Sequence, residues 1–361
     1  MVFVANALFG QVLEESLIVS ELARLLEKLF STRNAAYGAM LITAVLSYGG
    51  VSVFVIVFTV YPLFLAMFQA ADLPRRYIPA CIMSSSCTVP LSMLPGGAQL
   101  NNIIPMVYLG TSPAAASFAG MGAAIITTIF LILYFRYEFA KARRSGEHFE
   151  VTKDIAGRIS NFQKESHIQS CLSVLPLLLI LLLINVFSVD LAYAVFIGTA
   201  LAMLIGHENI HNKLQTLNEG MQSVGTATII TSVSVGFGGA VLACPGAQLF
   251  LQQIADAPIS PTVSLSISAA FAGILTGNGG GGADIAMRLL ADPYLQRGVS
   301  PESIHRIVAI ATAGFSCLPN NGMLITVMDT CGYTAKRCYK YIFISTVCGS
   351  FLGLLAAVIL L

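Results

Sequence analysis

The chain has 361 residues, 56% of them hydrophobic and only 10% charged, against roughly 25% charged in soluble domains. A mean hydropathy of +0.80 and charge-free runs at 34–71, 77–135, 220–255 and 307–328 exclude a water-soluble fold, since each run exceeds the ~20 residues of one helical crossing. A net charge of +1 leaves no footprint for nucleic acid, and continuous apolar runs do not fit the short alternating strands of a β-barrel.

In chain order, the opening segment carries Glu14, Glu15, Glu21, Arg24, Glu27 and Lys28 and reads as an amphipathic helix, without the plan of a cleavable leader. Apolar sequence then breaks at Ser47–Ser52, passes a basic link at Arg75 and Arg76, and breaks again from Leu94 to Asn102. The plainest single crossings are predicted at 114–135, 171–189 and 341–361. The polar stretch 136–170 holds seven of the 19 basic residues and is predicted to be cytoplasmic. Without any Trp, the interfacial belt falls to Tyr134, Tyr137, Tyr339 and Tyr341. The eight cysteines form no C-x-x-C pair and read as buried thiols.

The sequence also repeats itself. Phe9–Leu13 resembles Gly238–Leu242 and Tyr48–Val51 faces Gly277–Gly280, both at an offset of 229. Downstream, Pro74–Ile78 matches Ile304–Ile307 at 230, and Ser92–Gly97 matches Ser316–Asn321 at 224. The expected organisation is a first transmembrane repeat at 1–135, a cytoplasmic loop at 136–170, connecting helices at 171–219 and a second repeat at 220–361, with the two repeats inverted in topology. Paired interruptions of this kind are where transporter folds place binding sites, because unwound backbone in hydrocarbon needs protein, water or a ligand to satisfy it.

The run Thr276–Asp284 has five glycines in seven residues and is expected to be a re-entrant tip or an unwound helix whose amides approach a ligand. It has no Lys for a phosphate loop. The second pair of breaks, Leu94–Gln99 and Leu318–Gly322, carries Pro and is expected to aim short helix N-termini at an anion. The amides of Gln99, Asn101, Asn102, Asn320 and Asn321, with the hydroxyls of Ser92 and Ser316, are donors for a carboxylate. Asp284 and Asp329, charges within apolar runs, are the candidate proton carriers. Arg75, Arg76, His305 and Arg306 are expected to be interfacial anchors.

Gly49–Phe58, Tyr61-Pro62, Asp72–Pro79, Gly110-Thr111, Gly277–Gly282, Ser300–Ile307 and Leu318–Gly322 together resemble the gluconate permease family of bacterial secondary transporters, within the wider ion transporter superfamily. The resemblance covers nearly the whole chain. It implies an all-α polytopic membrane protein with inverted repeats, re-entrant helical hairpins and broken transmembrane helices in the cell inner membrane. It also implies proton symport of a small carboxylate such as gluconate or another sugar acid or hydroxycarboxylate. The tips that would hold it map onto Ser47, Gly49, Gly50 and Ser52; onto Gly96, Gly97, Gln99, Asn101 and Asn102; onto Thr276, Asn278 and Gly279; and onto Ser316, Asn320 and Asn321. Typical members have about two helices before the segment matching Asn6–Gly10, so the chain looks shortened at its N-terminus, and they carry a small or hydroxylated residue at the place of Asp284.

The leading expectation is therefore a transporter, not an enzyme, importing a small organic anion by alternating access. No cofactor is expected beyond a coupling proton or sodium ion, and no partner beyond substrate, the lipid bilayer and a second copy of the chain. Sodium coupling is the alternative, with backbone carbonyls at the tips as ligands. A membrane zinc enzyme is a weaker one: His207, Glu208 and His211 satisfy H-E-x-x-H but lie at a span end with no evident third ligand. A channel would show a repeated filter or charged ring.

Overall fold

The computed structural model describes residues 2–21, 34–51, 53–97, 99–162, 172–187 and 189–361, and these form helices with no strand among them. In chain order they are α1 (Val2–Glu15), α2 (Ala35–Tyr48), α3 (Val53–Ala70), α4 (Ile78–Cys87), α5 (Leu100–Leu109), α6 (Ser117–Arg144), α7 (Lys153–Phe162), α8 (Leu175–Asn185) and α9 (Leu191–Ile205). The series continues with α10 (Lys213–Ala243), α11 (Pro245–Asp256), α12 (Pro261–Thr276), α13 (Gly279–Gln296), α14 (Pro301–Gly314), α15 (Gly322–Thr330), α16 (Ala335–Ile342) and α17 (Gly349–Leu360). Helices satisfy their own backbone, which is what a hydrocarbon environment demands.

Among the described residues two helical stretches, Ser117–Arg144 and Ala335–Leu360, are long and apolar enough to cross a membrane, the second through a π-helical passage at Phe343–Cys348. On α6, Phe118, Ile125, Ile129 and Leu133 are all more than half exposed, as are Phe351 and Ile359 on α17. Stripes of this kind are unfavourable in water and suit contact with lipid. Other apolar helices, among them α2, α5 and α12, are shorter and end at the interruptions. The structure is thus an all-α membrane protein with broken segments.

Element order repeats along the chain. A helix, a break, a second helix, a further helix and a second break occur at α2 to α5 and again at α12 to α15. Left-handed backbone recurs in step, at Gly50 and Gly277, Asp72 and Gly298, and Gly110 and Gly332, which lie 227, 226 and 222 residues apart.

Chain contacts divide the molecule into two compact units that each draw on both ends of the sequence. The first comprises Met1–Ser86, Leu133–Ala227 and Thr326–Tyr339. Its aromatic core centres on Phe139, whose ring lies 5.6–5.9 Å from those of Tyr37, Phe68, Tyr77 and Phe135. Phe139 lies beyond the predicted end of its span, because α6 continues through Arg136 to Arg144 instead of opening into a loop. That continuation has partners. The buried Glu138 carboxylate accepts from the Tyr77 hydroxyl at 3.3 Å, and Lys141, Arg143 and Arg144 suit the negative end of the helix. The rest of the expected loop includes α7.

The second unit comprises Cys87–Ile132, Thr228–Ile325 and Lys340–Leu361. Here α14 is the central helix, packed against α5, α12, α13 and α17 in an alanine-rich core. His305 and Arg306 on α14 are wholly buried, which corrects their reading as interfacial anchors. Arg306 stays inside because backbone carbonyls receive it: Nη1 donates to Ser92 O at 2.8 Å, while Nε and Nη2 donate to Ala115 O at 3.1 and 2.7 Å. The thiols largely follow expectation, with Cys81, Cys87, Cys317, Cys331 and Cys338 buried, but Cys244 between α10 and α11 is exposed. Cys171 lies outside the described residues.

A polar clasp closes the first unit where Asp72 turns the chain after α3. Its Oδ1 accepts from the Phe149 N–H at 3.0 Å and its Oδ2 lies 2.6 Å from His148 Nδ1. The backbone N–H of Phe149, then the His148 side chain, hold the Asp72 carboxyl below its ordinary value. A lowered carboxylate pKa contributes stability above the unfolded value and loses it as the pH falls through the folded one. Thermal unfolding of the wild type is therefore expected to drop modestly below about pH 4. Asp72→Asn, which keeps a residue tolerant of left-handed backbone, should flatten the drop in the same scan.

Candidate functional site

The two breaks of the second half and one of the first come together in the second unit. α12 ends at Thr276, and Gly277 closes it in the left-handed conformation (φ 57°), its N–H bonded to Gly273 O. Asn278 then starts α13, its side-chain oxygen accepting from the Gly281 N–H at 3.0 Å. Only Gly277 and Asn278 therefore separate two helices, and of the expected alternatives, a re-entrant tip or an unwound helix, the glycines that follow are not unwound but helical. The N-cap offsets the weak helix propensity of glycine, and the neighbours explain why side chains are absent. A Cβ on Gly279 would stand 2.9 Å from the Asn101 amide and 3.3 Å from Ala313 Cα.

The second break runs from the 3-10 turn Phe315–Cys317, which includes Ser316, through extended Leu318 to Asn321. Asn321 caps α15, its Oδ1 accepting from the Met323 N–H at 2.7 Å. The exposed Asn320 reaches back, donating from Nδ2 to Ile274 O at 3.2 Å and sitting 2.8 Å from where a Cβ on Gly277 would be. Asn101, at the start of α5 and buried, donates from Nδ2 to Thr312 Oγ1 at 3.0 Å. Asn320 and Asn101 thus flank the link that begins α13, whose first-turn amides of Gly279 and Gly280 have no acceptor within the helix.

The remaining predicted residues support this cluster or stand apart from it. The Asn102 Nδ2 donates to Gly97 O and Pro113 O, so its Oδ1 faces His305 Nε2 at 3.1 Å, while His305 Nδ1 meets the Thr111 hydroxyl at 2.7 Å. Gly96 takes φ 77° with its N–H on Pro113 O, and Gln99 is the N-cap residue of α5. Thr276 turns its hydroxyl back onto Ala272 O and Asn278 O. Ser47, Gly49 and Gly50 belong to the first unit, where Ser47 Oγ donates to Ser86 O at 2.8 Å and Gly50 takes φ 92°. Ser52 lies outside the described residues. The sequence reading missed Thr312 and Tyr108 and had Thr111 only within the Gly110-Thr111 motif; Thr312, a lone hydroxyl between alanines on a helix, left a trace.

The candidate proton carriers separate. Asp284, in the second turn of α13, is held by the Tyr108 hydroxyl at 2.8 Å and by Arg288 Nη2 at 2.9 Å, the i,i+4 pairing. Asp329 is exposed in the first unit, in a cleft with Arg75, Arg158 and Arg337. His207, Glu208 and His211 fall in the turn after α9, so the two imidazoles lack the shared helical face of a zinc motif. No three His, Cys, Asp or Glu side chains gather among the described residues.

The chain is similar to a bacterial transporter. It is 29% identical over 388 aligned positions to the protein named uncharacterized transporter YxjC of Bacillus subtilis (strain 168), spanning 96% of this chain and 82% of that one. No family model matches the chain. With the all-helical build and the lipid-suited stripes, that likeness supports a membrane transporter and leaves its substrate unassigned.

Two substitutions probe the cluster. Asn278→Ala should lower stability by about 1 kcal/mol through loss of the cap. Gly279→Ala should cost about 1–3 kcal/mol, as overpacking against Asn101 and Ala313 does. Thermal unfolding of detergent-purified protein measures both.

Proposed function

We propose that this transporter imports a small organic anion, gluconate-like or another hydroxycarboxylate, across the cell inner membrane by proton symport with alternating access. The observation that carries the reading is the meeting of the Gly277-Asn278 link, the Leu318–Asn321 break and the start of α5 within one unit. The positive end of the α13 macrodipole and its first-turn amides suit a carboxylate without a charged side chain beside it. Asn101, Asn320 and Thr312 add polar partners for substrate hydroxyls. Two inverted copies of one module, each contributing a tip, fit the recurrence of breaks along the chain.

Asp284 is the coupling residue in this reading. It shares α13 with Gly279 and is half-buried, and protonation would release Arg288 and Tyr108 from it. Counterflow of radiolabelled gluconate into proteoliposomes under an inward proton gradient, with sodium omitted, tests the proposal. Accumulation is expected; uptake only after sodium is added would replace the proton with sodium, and no response to any small carboxylate would remove the substrate class. Asp284→Asn should cut gradient-driven accumulation about tenfold, in line with the functional weight of intramembrane carboxylates, while leaving gradient-free exchange in place.

A further inference from the structure

The first unit holds a cleft of about 300 Å³ that the transport reading does not use. Its rim comes from separate stretches of chain: Arg75 in the link after α3, Arg158 on α7, and Arg337 on α16, with Glu150 and Asp329 as the carboxylates in the lining. Three guanidinium groups therefore face two carboxylates. Arg158 lies over the Tyr61 ring, its Cζ 5.7 Å from the centroid, and Arg337 is exposed. Arg75 Nε is buried and has no hydrogen-bond partner among the described residues. Three arginines against two carboxylates leave the cleft with surplus positive charge, which invites an anionic acceptor from outside.

We propose that this cleft binds a compact phosphate-type anion, either free phosphate or the phosphomonoester headgroup of a lipid. A tetrahedral oxyanion can take donors from three directions, matching arginines on three chain segments, whereas a planar carboxylate presents two oxygens in one plane. The volume is at the small end for ligand sites and admits nothing as large as a nucleotide. The 136–170 stretch that supplies Glu150 and Arg158 holds seven of the 19 basic residues, which puts the cleft on the cytoplasmic side by the positive-inside rule.

Thermal unfolding of the full chain in phosphatidylcholine nanodiscs, titrated with inorganic phosphate against sodium chloride at matched ionic strength, tests it. A saturable rise in Tm specific to phosphate is expected. Arg337→Gln, an exposed change that leaves the fold intact, should weaken the apparent affinity about tenfold, as loss of a charge-assisted contact does. Arg75→Gln should weaken it too, and Asp329→Asn should strengthen it. Nanodiscs containing phosphatidic acid separate the sources: a lipid ligand raises Tm beforehand and abolishes the phosphate response, while a free ligand gives the same response in both lipids. No rise beyond that of chloride, a rise unchanged in both arginine variants, or weaker binding in Asp329→Asn overturns the proposal. The readout is binding, so it stands or falls independently of which solute is transported.

Discussion

Backbone amides and carbonyls inside a lipid-exposed protein must find partners within the protein, and this requirement organises the described interruptions of the second unit. Where α12 stops, Gly277 returns its N–H to Gly273 O, and where α13 starts, Asn278 supplies a side-chain acceptor. Asn321 does the same for α15. The loop before α5 is tied by Asn102 to Gly97 and Pro113, and His305 holds Asn102 in turn. Breaks that look costly in sequence are thus almost fully bonded, and the acceptors lacking at the first turn of α13 mark the place where a ligand has something to offer.

Much of this was legible in the residues. Charge-free runs longer than a bilayer crossing dictate helices, and Pro, Gly and Asn clusters within them dictate where helices stop. Left-handed positions lie in pairs 222 to 227 residues apart, beside the 224 to 230 of the short sequence matches, and the backbone conformation at a turn restricts residue type. Burial was harder to read. Arg306 and His305 look like water-facing residues in a basic link, yet carbonyls 191 and 214 residues earlier in the chain receive Arg306, and no local pattern reports so distant an acceptor. The glycine run misled in the opposite sense: low helix propensity is a local property, and the packing of Gly279 against Asn101 and Ala313 overrides it.

The candidate residues divide by the work their polar atoms already do. Asn278 and Asn321 are occupied as caps, Thr276 bonds to backbone and Asn102 bridges three groups, so these set the shape of the cluster. Among the described residues Asn101 and Asn320 each make one side-chain bond, and they stand on either side of the link, which is the position from which a solute would be touched. Residue type alone could not separate these roles, since an Asn that caps a helix and an Asn that greets a ligand look the same in a sequence.

The Arg306 side chain has a mechanical consequence. One planar group grips carbonyls on both sides of the stretch from Ser92 to Ala115, like a toggle through two eyelets, and fastens that stretch to α14. The same joint brings the start of α5 against α14, where Asn101 Nδ2 meets Thr312 Oγ1 at 3.0 Å, so pulling the two helices apart would break the Arg306 bonds along with that contact.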